Sequence, residues 1–193
     1  MYWCKFRSLT TTAFFSGILL LSGLQSCKPD IKQTGAVLKY FDISGFFKAD
    51  TAKLRKLNPE VNKTVTHNGV TENKTVHIDN WGHELNLFIQ SDINRPAWKN
   101  SYRVQNTDSL IIYQAKYPDL RTVRVVIKKD KDKVKWVLIY NHTKNLLYET
   151  REKLSYFPDS AYLIEKWQQV RLMGRNNYRI QGFLKTPKQI KKF

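Results

Sequence analysis

The sequence predicts an α+β domain in which two short helices pack on a curved antiparallel β-meander, the arrangement of a half-barrel. Three observations carry this. Apolar residues recur at helical spacing only before Pro96, and from Ser101 onward the apolar period becomes two. The connectors between the period-two segments are too short for crossover helices, so neighbouring strands run antiparallel. The composition suits a folded body. Of 193 residues, 41% are hydrophobic and 13% aromatic, with 8 Gly and 6 Pro, which excludes wholesale disorder and collagen-like structure. With only 2 Cys the chain is no disulfide-stapled miniature scaffold either.

The predicted domain covers residues 36–186. Its first helix spans 44–57, where Ile43, Phe46, Phe47, Leu54 and Leu57 share one side and Lys48, Lys53, Arg55 and Lys56 lie largely opposite. Asn58-Pro59 ends it. Two near-copies follow, Asn62-Lys63-Thr64-Val65-Thr66-His67 and Asn73-Lys74-Thr75-Val76-His77-Ile78, on either side of Asn68-Gly69. This is a hairpin pattern. A two-residue Asn-Gly turn would set Lys63 opposite Lys74, an unfavourable like-charge pair. A wider loop over 68–73, pairing Val65 with Val76, is therefore expected. A second helix over 80–90 follows from the Trp81, Leu85 and Phe88 stripe.

Strands are expected at 110–115, 122–129, 134–140, 146–151, 161–166, 169–173 and 177–185. Alternation places Val123, Val125 and Ile127 on one face with Trp136, Leu138 and Tyr140, continued by Tyr148, Tyr178 and Ile180. On this reading Trp136 and Leu138 are among the most buried side chains. The opposite face carries Arg124, Lys128, Lys135 and Arg179, with Val126, Val137 and Ile139 apolar at its middle.

The first thirty residues differ from the rest. Lys5 and Arg7 precede an uncharged apolar run at 13–21, and no Asp or Glu occurs before Asp30. This is the pattern of an export signal, shorter than the ~20 apolar residues a spanning helix requires. It ends in Leu24-Gln25-Ser26-Cys27, which resembles the lipobox of bacterial lipoproteins. The resemblance covers only the leader, residues 1–26. It implies a diacylglyceryl group on the Cys27 sulfur, cleavage between Ser26 and Cys27, and acylation of the new amino group. Cys4, with no apolar core before it, cannot take that part. Residues 27–35 would then be a lipid-anchored tether, and 187–193 a basic tail. The chain as a whole also resembles small envelope lipoproteins of the Bacteroidota, a resemblance that brings no activity with it. The expected localisation is the bacterial cell envelope, on the outer rather than the inner membrane.

Catalytic signatures do not stand out. The sequence holds no Gly-rich phosphate loop, GxSxG elbow or HExxH helix, and a lipidated Cys27 would leave no thiol for nucleophilic chemistry. The pattern reads as non-catalytic, with no cofactor and no metal site. A formal charge of +17 would suggest nucleic acid in the cytosol, but an exported chain meets anionic lipids and envelope polymers instead, each Lys or Arg near such a surface adding about 1 kcal/mol. Two readings follow. One is a binding module for a hydrophobic or lipid-like envelope ligand, with Trp136, Tyr140 and Tyr148 as candidate contacts. The other is a structural lipoprotein docking onto another envelope component.

Because thioether attachment requires the Cys27 sulfur itself, Cys27→Ala should abolish palmitate incorporation while Cys4→Ala leaves it intact. Radiolabelled palmitate with membrane fractionation reads both.

Overall fold

The computed structural model describes residues 38–185. The signal segment, Cys27, the tether and the basic tail lie outside the described residues. Helix α1 spans Ile43–Leu57; the hairpin β1 (Glu60–His67) and β2 (Val70–His77) follows, then the one-turn helices α2 (Trp81–Glu84) and α3 (Asn86–Ile89) and a 3₁₀ turn, Pro96–Trp98. The remaining strands are β3 (Tyr102–Asn106), β4 (Leu110–Ala115), β5 (Thr122–Asp130), β6 (Lys133–Lys144), β7 (Tyr148–Phe157), β8 (Ala161–Val170) and β9 (Gly174–Lys185). All nine strands form one open antiparallel sheet in the order β2-β1-β9-β8-β7-β6-β5-β4-β3. The meander expected after residue 101 is present, and the hairpin joins it through β9. Sequence alternation did not single out Tyr102–Asn106, which forms one edge of the sheet. The segments expected at 161–166 and 169–173 are largely one ten-residue strand, β8.

Helix α1 begins where Asp42 caps it, its carboxylate accepting from the Gly45 backbone N–H at 2.7 Å. The cap explains the glycine in the first turn. A Cβ on Gly45 would lie 2.0 Å from Asp42 Oδ2. At the other end Asn58 adopts φ 41° and donates to the Leu54 carbonyl, an αL stop of the kind Asn supports. The single helix expected over 80–90 is instead α2 and α3, broken at Leu85, yet the Trp81, Leu85 and Phe88 stripe is buried as its spacing implied.

These helices cover one face of the sheet. Phe47 packs against Phe88 in a tilted arrangement at 4.8 Å and meets Tyr156 edge-on at 5.0 Å. Tyr40 meets Tyr102 and Tyr113 edge-on, both at 5.5 Å. Val125, Ile127, Val137, Ile139, Leu154 and Ile164 complete the core from the strands.

Two expectations of register fail. The hairpin adopts the two-residue turn, with Asn68 at φ 48° and Gly69 at φ 91°, the backbone of a type I′ turn. Lys63 does stand opposite Lys74. The repulsion is relieved because each lysine has its own carboxylate, Lys63 with Glu84 at 2.7 Å and Lys74 with Glu72 at 3.5 Å. The wider loop is not formed.

The second failure concerns Trp136 and Leu138, which are only partly buried, whereas Val137 and Ile139 are 1% and 0% exposed. Near the turn β5 and β6 pair Asp130 with Lys133 and Lys129 with Val134; from there the pairing steps to Lys128 with Trp136, leaving Lys135 as an extra residue. A one-residue bulge turns every side chain beyond it to the other face. Val125 and Ile127 therefore stand beside Ile139 and Val137, not beside Leu138 and Trp136. A second shift leaves Val123 as the extra residue opposite Tyr140 and Asn141.

Truncating Ile139 to Ala should cost about 2–5 kcal/mol, as for a fully buried aliphatic, and Trp136→Ala should cost distinctly less. Urea unfolding of the two variants side by side checks the face assignment.

Candidate ligand-binding groove

Among the described residues the helices leave the opposite face of the sheet bare, and there strands β6 to β9 form the floor of an open groove of about 940 Å³. Period-two alternation and register place its side chains in cross-strand rows. In one row His142, Arg151, Trp167 and Asn177 are successive neighbours; in the next, Arg124, Tyr140, Lys153, Glu165 and Arg179; and towards the sheet end, Lys144, Glu149, Gln169 and Arg175. Trp167 is 45% exposed. Asn141, Glu152 and Gln168 contribute from within the same strands.

Electrostatically the face has too few acids. Glu149 accepts from Arg151 at 2.8 Å and contacts His142 Nε2 at 3.1 Å, with Lys144 at 3.9 Å. The hydrogen bonds from Arg151, then His142, hold the Glu149 carboxyl below its usual range. Glu165 lies between Lys153 at 3.8 Å and Arg179 at 3.7 Å. Arg175 donates to the Gln169 side-chain oxygen at 3.2 Å. Among the described residues neither Arg175 nor Arg124 is in an ion pair. An acidic ligand would meet unneutralised guanidinium groups beside an aromatic face.

Of the residues that the sequence reading put forward, the structure brings only Tyr140 into the groove. Trp136 shares the bare face but stands opposite Lys128, nearer the other end of the sheet. Tyr148 sits beside Val170 on the helix-covered side. Trp167, Arg151, Lys153 and Arg175 were missed. The signal for them was present in β8: read as one uninterrupted strand, Leu163, Glu165, Trp167 and Gln169 fall on one face.

Along one side of these rows the bare face becomes apolar. Ile112, Val126, Leu138 and Leu163 lie across successive strands with Ser155 between the last two. Phe183 is 51% exposed, on the next row of β9 beside Ala161. The face thus offers a cationic, aromatic groove next to an apolar band.

Other polar groups serve the fold. Glu152, on the covered face, accepts from Arg121 and from Asn141 Nδ2, both at 3.1 Å, while Asn141 also donates to Ser91 Oγ at 2.8 Å. This network ties the segment after α3 to the middle of the sheet. The groups whose protonation is most displaced lie in the core: burial raises the hydroxyls of Tyr102, Tyr113, Tyr156 and Tyr162 and the carboxyl of Asp50. Tyr156 Oη donates to Asp50 Oδ2. None of these five lines the groove, so their shifts come from packing. Among the described residues no three His, Cys, Asp or Glu side chains are grouped to hold a metal, and no helix is long and apolar enough to cross a membrane. No family model, curated protein or solved structure matches this chain.

Asp50 yields a pH test. Burial raises its folded pKa, so the native state holds its proton longer than the unfolded chain. The stability it supports is greatest at low pH and is lost as pH rises from the ordinary aspartate range near 3.9 through the raised value. Asp50→Asn keeps an acceptor for Tyr156 without a charge to bury. Relative to wild type, the variant should gain stability as pH rises across that window, read by urea unfolding at a series of pH values.

Proposed function

We propose that the chain is a lipid-anchored lipoprotein of the bacterial cell envelope, held through Cys27 at the outer membrane, and that its folded body is a non-catalytic binding module for a lipid-like ligand with an anionic head. The observation that supports this best is the division of the bare sheet face into a groove bearing Arg151, Lys153, Arg175, Trp167 and Tyr140 and an adjoining band containing Leu138 and Leu163. An amphiphile laid across that face would set its charged group against the guanidiniums and its chain along the band. Trp167 supplies a flat apolar surface with an N–H at its rim, suited to the boundary between the two. We read the architecture as an α+β half-barrel, the helices filling one side of the sheet and leaving the other as the binding surface. The partners on this reading are the membrane and an anionic lipid or envelope polymer, with nucleic acid excluded by location.

The alternative is a structural lipoprotein that docks onto another envelope component. The edge strand β2 favours it: it is exposed along nearly all of its length and, among the described residues, paired only with β1, and such an edge accepts an added strand.

Native mass spectrometry of the detergent-extracted full chain tests the two. Co-purifying anionic lipid at unit stoichiometry is expected. Arg151→Glu with Arg175→Glu should weaken binding to phosphatidylglycerol by roughly tenfold or more, at about 1 kcal/mol for each cation near an anionic headgroup. A ligand-free mass, together with a protein retained in pull-downs, would favour the docking alternative.

A further inference from the structure

Two hairpin tips at one end of the sheet differ from the others. The turn between β6 and β7 exposes Leu146 and Leu147 at 86% and 68%, and the turn between β8 and β9 exposes Leu172 and Met173 at 92% and 86%. Of the other hairpin turns, Asn68-Gly69, Thr107-Asp108-Ser109, Lys131-Asp132 and Pro158-Asp159-Ser160 are polar, and the longer β4–β5 connection at 116–121 exposes one large apolar side chain, Tyr117, at 56%. The two apolar tips adjoin, since Tyr148 pairs with Val170 and the Arg171 N–H donates to the Leu147 carbonyl at 2.9 Å. Together they form a contiguous apolar projection, where a monomer's exposed apolar residues are ordinarily scattered.

The projection is built as a membrane-dipping element must be. In hydrocarbon or at its boundary an unpaired backbone group is costly, and here several of the turn N–H groups are internally bonded. Asn145 Oδ1 accepts from the N–H groups of Leu147 and Tyr148, both at 2.9 Å, and the Asn145 N–H donates to the Tyr148 carbonyl at 2.9 Å. The Met173 N–H donates to the Val170 carbonyl at 3.3 Å, and Gly174 closes that turn at φ 82°. Lys144, Arg171 and Arg175 flank the tips, while the nearest acid, Glu149, is already held by Arg151 and His142. Apolar side chains at the point and cations behind them match a bilayer whose headgroups are anionic.

We infer that the adjoining β6–β7 and β8–β9 tips insert into an anionic lipid bilayer, with Leu146, Leu147, Leu172 and Met173 entering the acyl boundary and Lys144, Arg171 and Arg175 resting on the headgroups. Gln169, Glu149 and Arg175 belong both to the end of the groove and to this end of the sheet, so docking sets the groove's mouth at headgroup level. The inference rests on the membrane attachment proposed above, and names the part of the folded body that meets the lipid.

The full chain carrying Leu172→Cys, labelled with the environment-sensitive fluorophore NBD, is reconstituted with vesicles of phosphatidylcholine alone or mixed with phosphatidylglycerol. The unsubstituted chain, labelled in parallel, sets the background. With the mixed vesicles a several-fold rise in emission, a blue shift and quenching by acyl-chain nitroxide lipids are expected. NBD at Ser160→Cys, in a turn at the opposite end of the sheet, should remain as in water. Leu146→Ser with Leu147→Ser should abolish the tip signal without altering the unfolding transition, because these side chains protrude into solvent. Arg171→Glu should diminish it at low salt more than at high salt. A chain that floats with vesicles while its tip probe stays in water overturns this inference and leaves attachment standing. A chain that does not float overturns both, and an equal tip signal without lipid, from self-association, overturns this one.

Discussion

The packing of Tyr162 over Gly182 joins the β1–β2 hairpin and α2 to the rest of the sheet. The two residues are direct neighbours on β8 and β9, and a Cβ on Gly182 would lie 2.2 Å from the Tyr162 ring. The ring occupies the space that a side chain would take. From there its hydroxyl donates to Glu84 Oε1 at 2.5 Å, and Glu84 also receives Lys63 of β1. One buried tyrosine thus links β8, β9, the hairpin and α2. Trp81 meets the same ring edge-on at 6.2 Å. Glycine in a central strand ordinarily weakens it; here an aromatic from the adjacent strand fills the gap.

This junction settles what each face of the sheet can do. β1 pairs along its whole length with β9, so the hairpin extends the sheet and the last described strand becomes an interior one. The helices then dock on the side bearing Tyr162, Leu154 and Ile139. Among the described residues the other side has no helix to cover it, and its Arg, Lys and Trp side chains are left facing outward in register. The face's cations reflect its position: charged residues of interior strands must point to the side that stays wet. Two glutamates shared among Lys144, Arg151, His142, Lys153 and Arg179 leave an excess of positive charge beside the apolar band.

Element types were largely legible in the sequence because each depends on near neighbours, but several limits were not: the strands expected at 134–140, 146–151 and 177–185 form at Lys133–Lys144, Tyr148–Phe157 and Gly174–Lys185, so the connector expected at 141–145 is mostly strand. The first helix, expected at 44–57, forms at Ile43–Leu57, and the strand expected at 110–115 is reproduced at both ends. The Trp81, Leu85 and Phe88 stripe is buried even though its helix is broken. The groove was much less legible. Tyr140 was anticipated, but Trp136 and Tyr148 were assigned by alternation within single strands, and alternation cannot say which sets of neighbouring strands coincide. Trp167 and its row fell at a division placed within β8, where Lys166-Trp167-Gln168 lacks the aliphatic residues that mark a strand.

The sequence by itself determined periodicity, turn chemistry and the basic balance, each set within a few residues along the chain: Asn58 stops a helix, Asn68-Gly69 reverses a strand, and alternation defines two faces for every strand. Only the tertiary structure decided which of those faces is inside. A single extra residue at Lys135 exchanged the two sides of the central strands, and Glu84, distant in sequence, made tolerable the Lys63 and Lys74 pairing that local charge alone disfavoured. Both outcomes depend on free energies of long-range contact, the burial of Ile139 against Leu154 and the neutralisation of Lys63 by α2. Such terms exist only once strands from different parts of the chain have met.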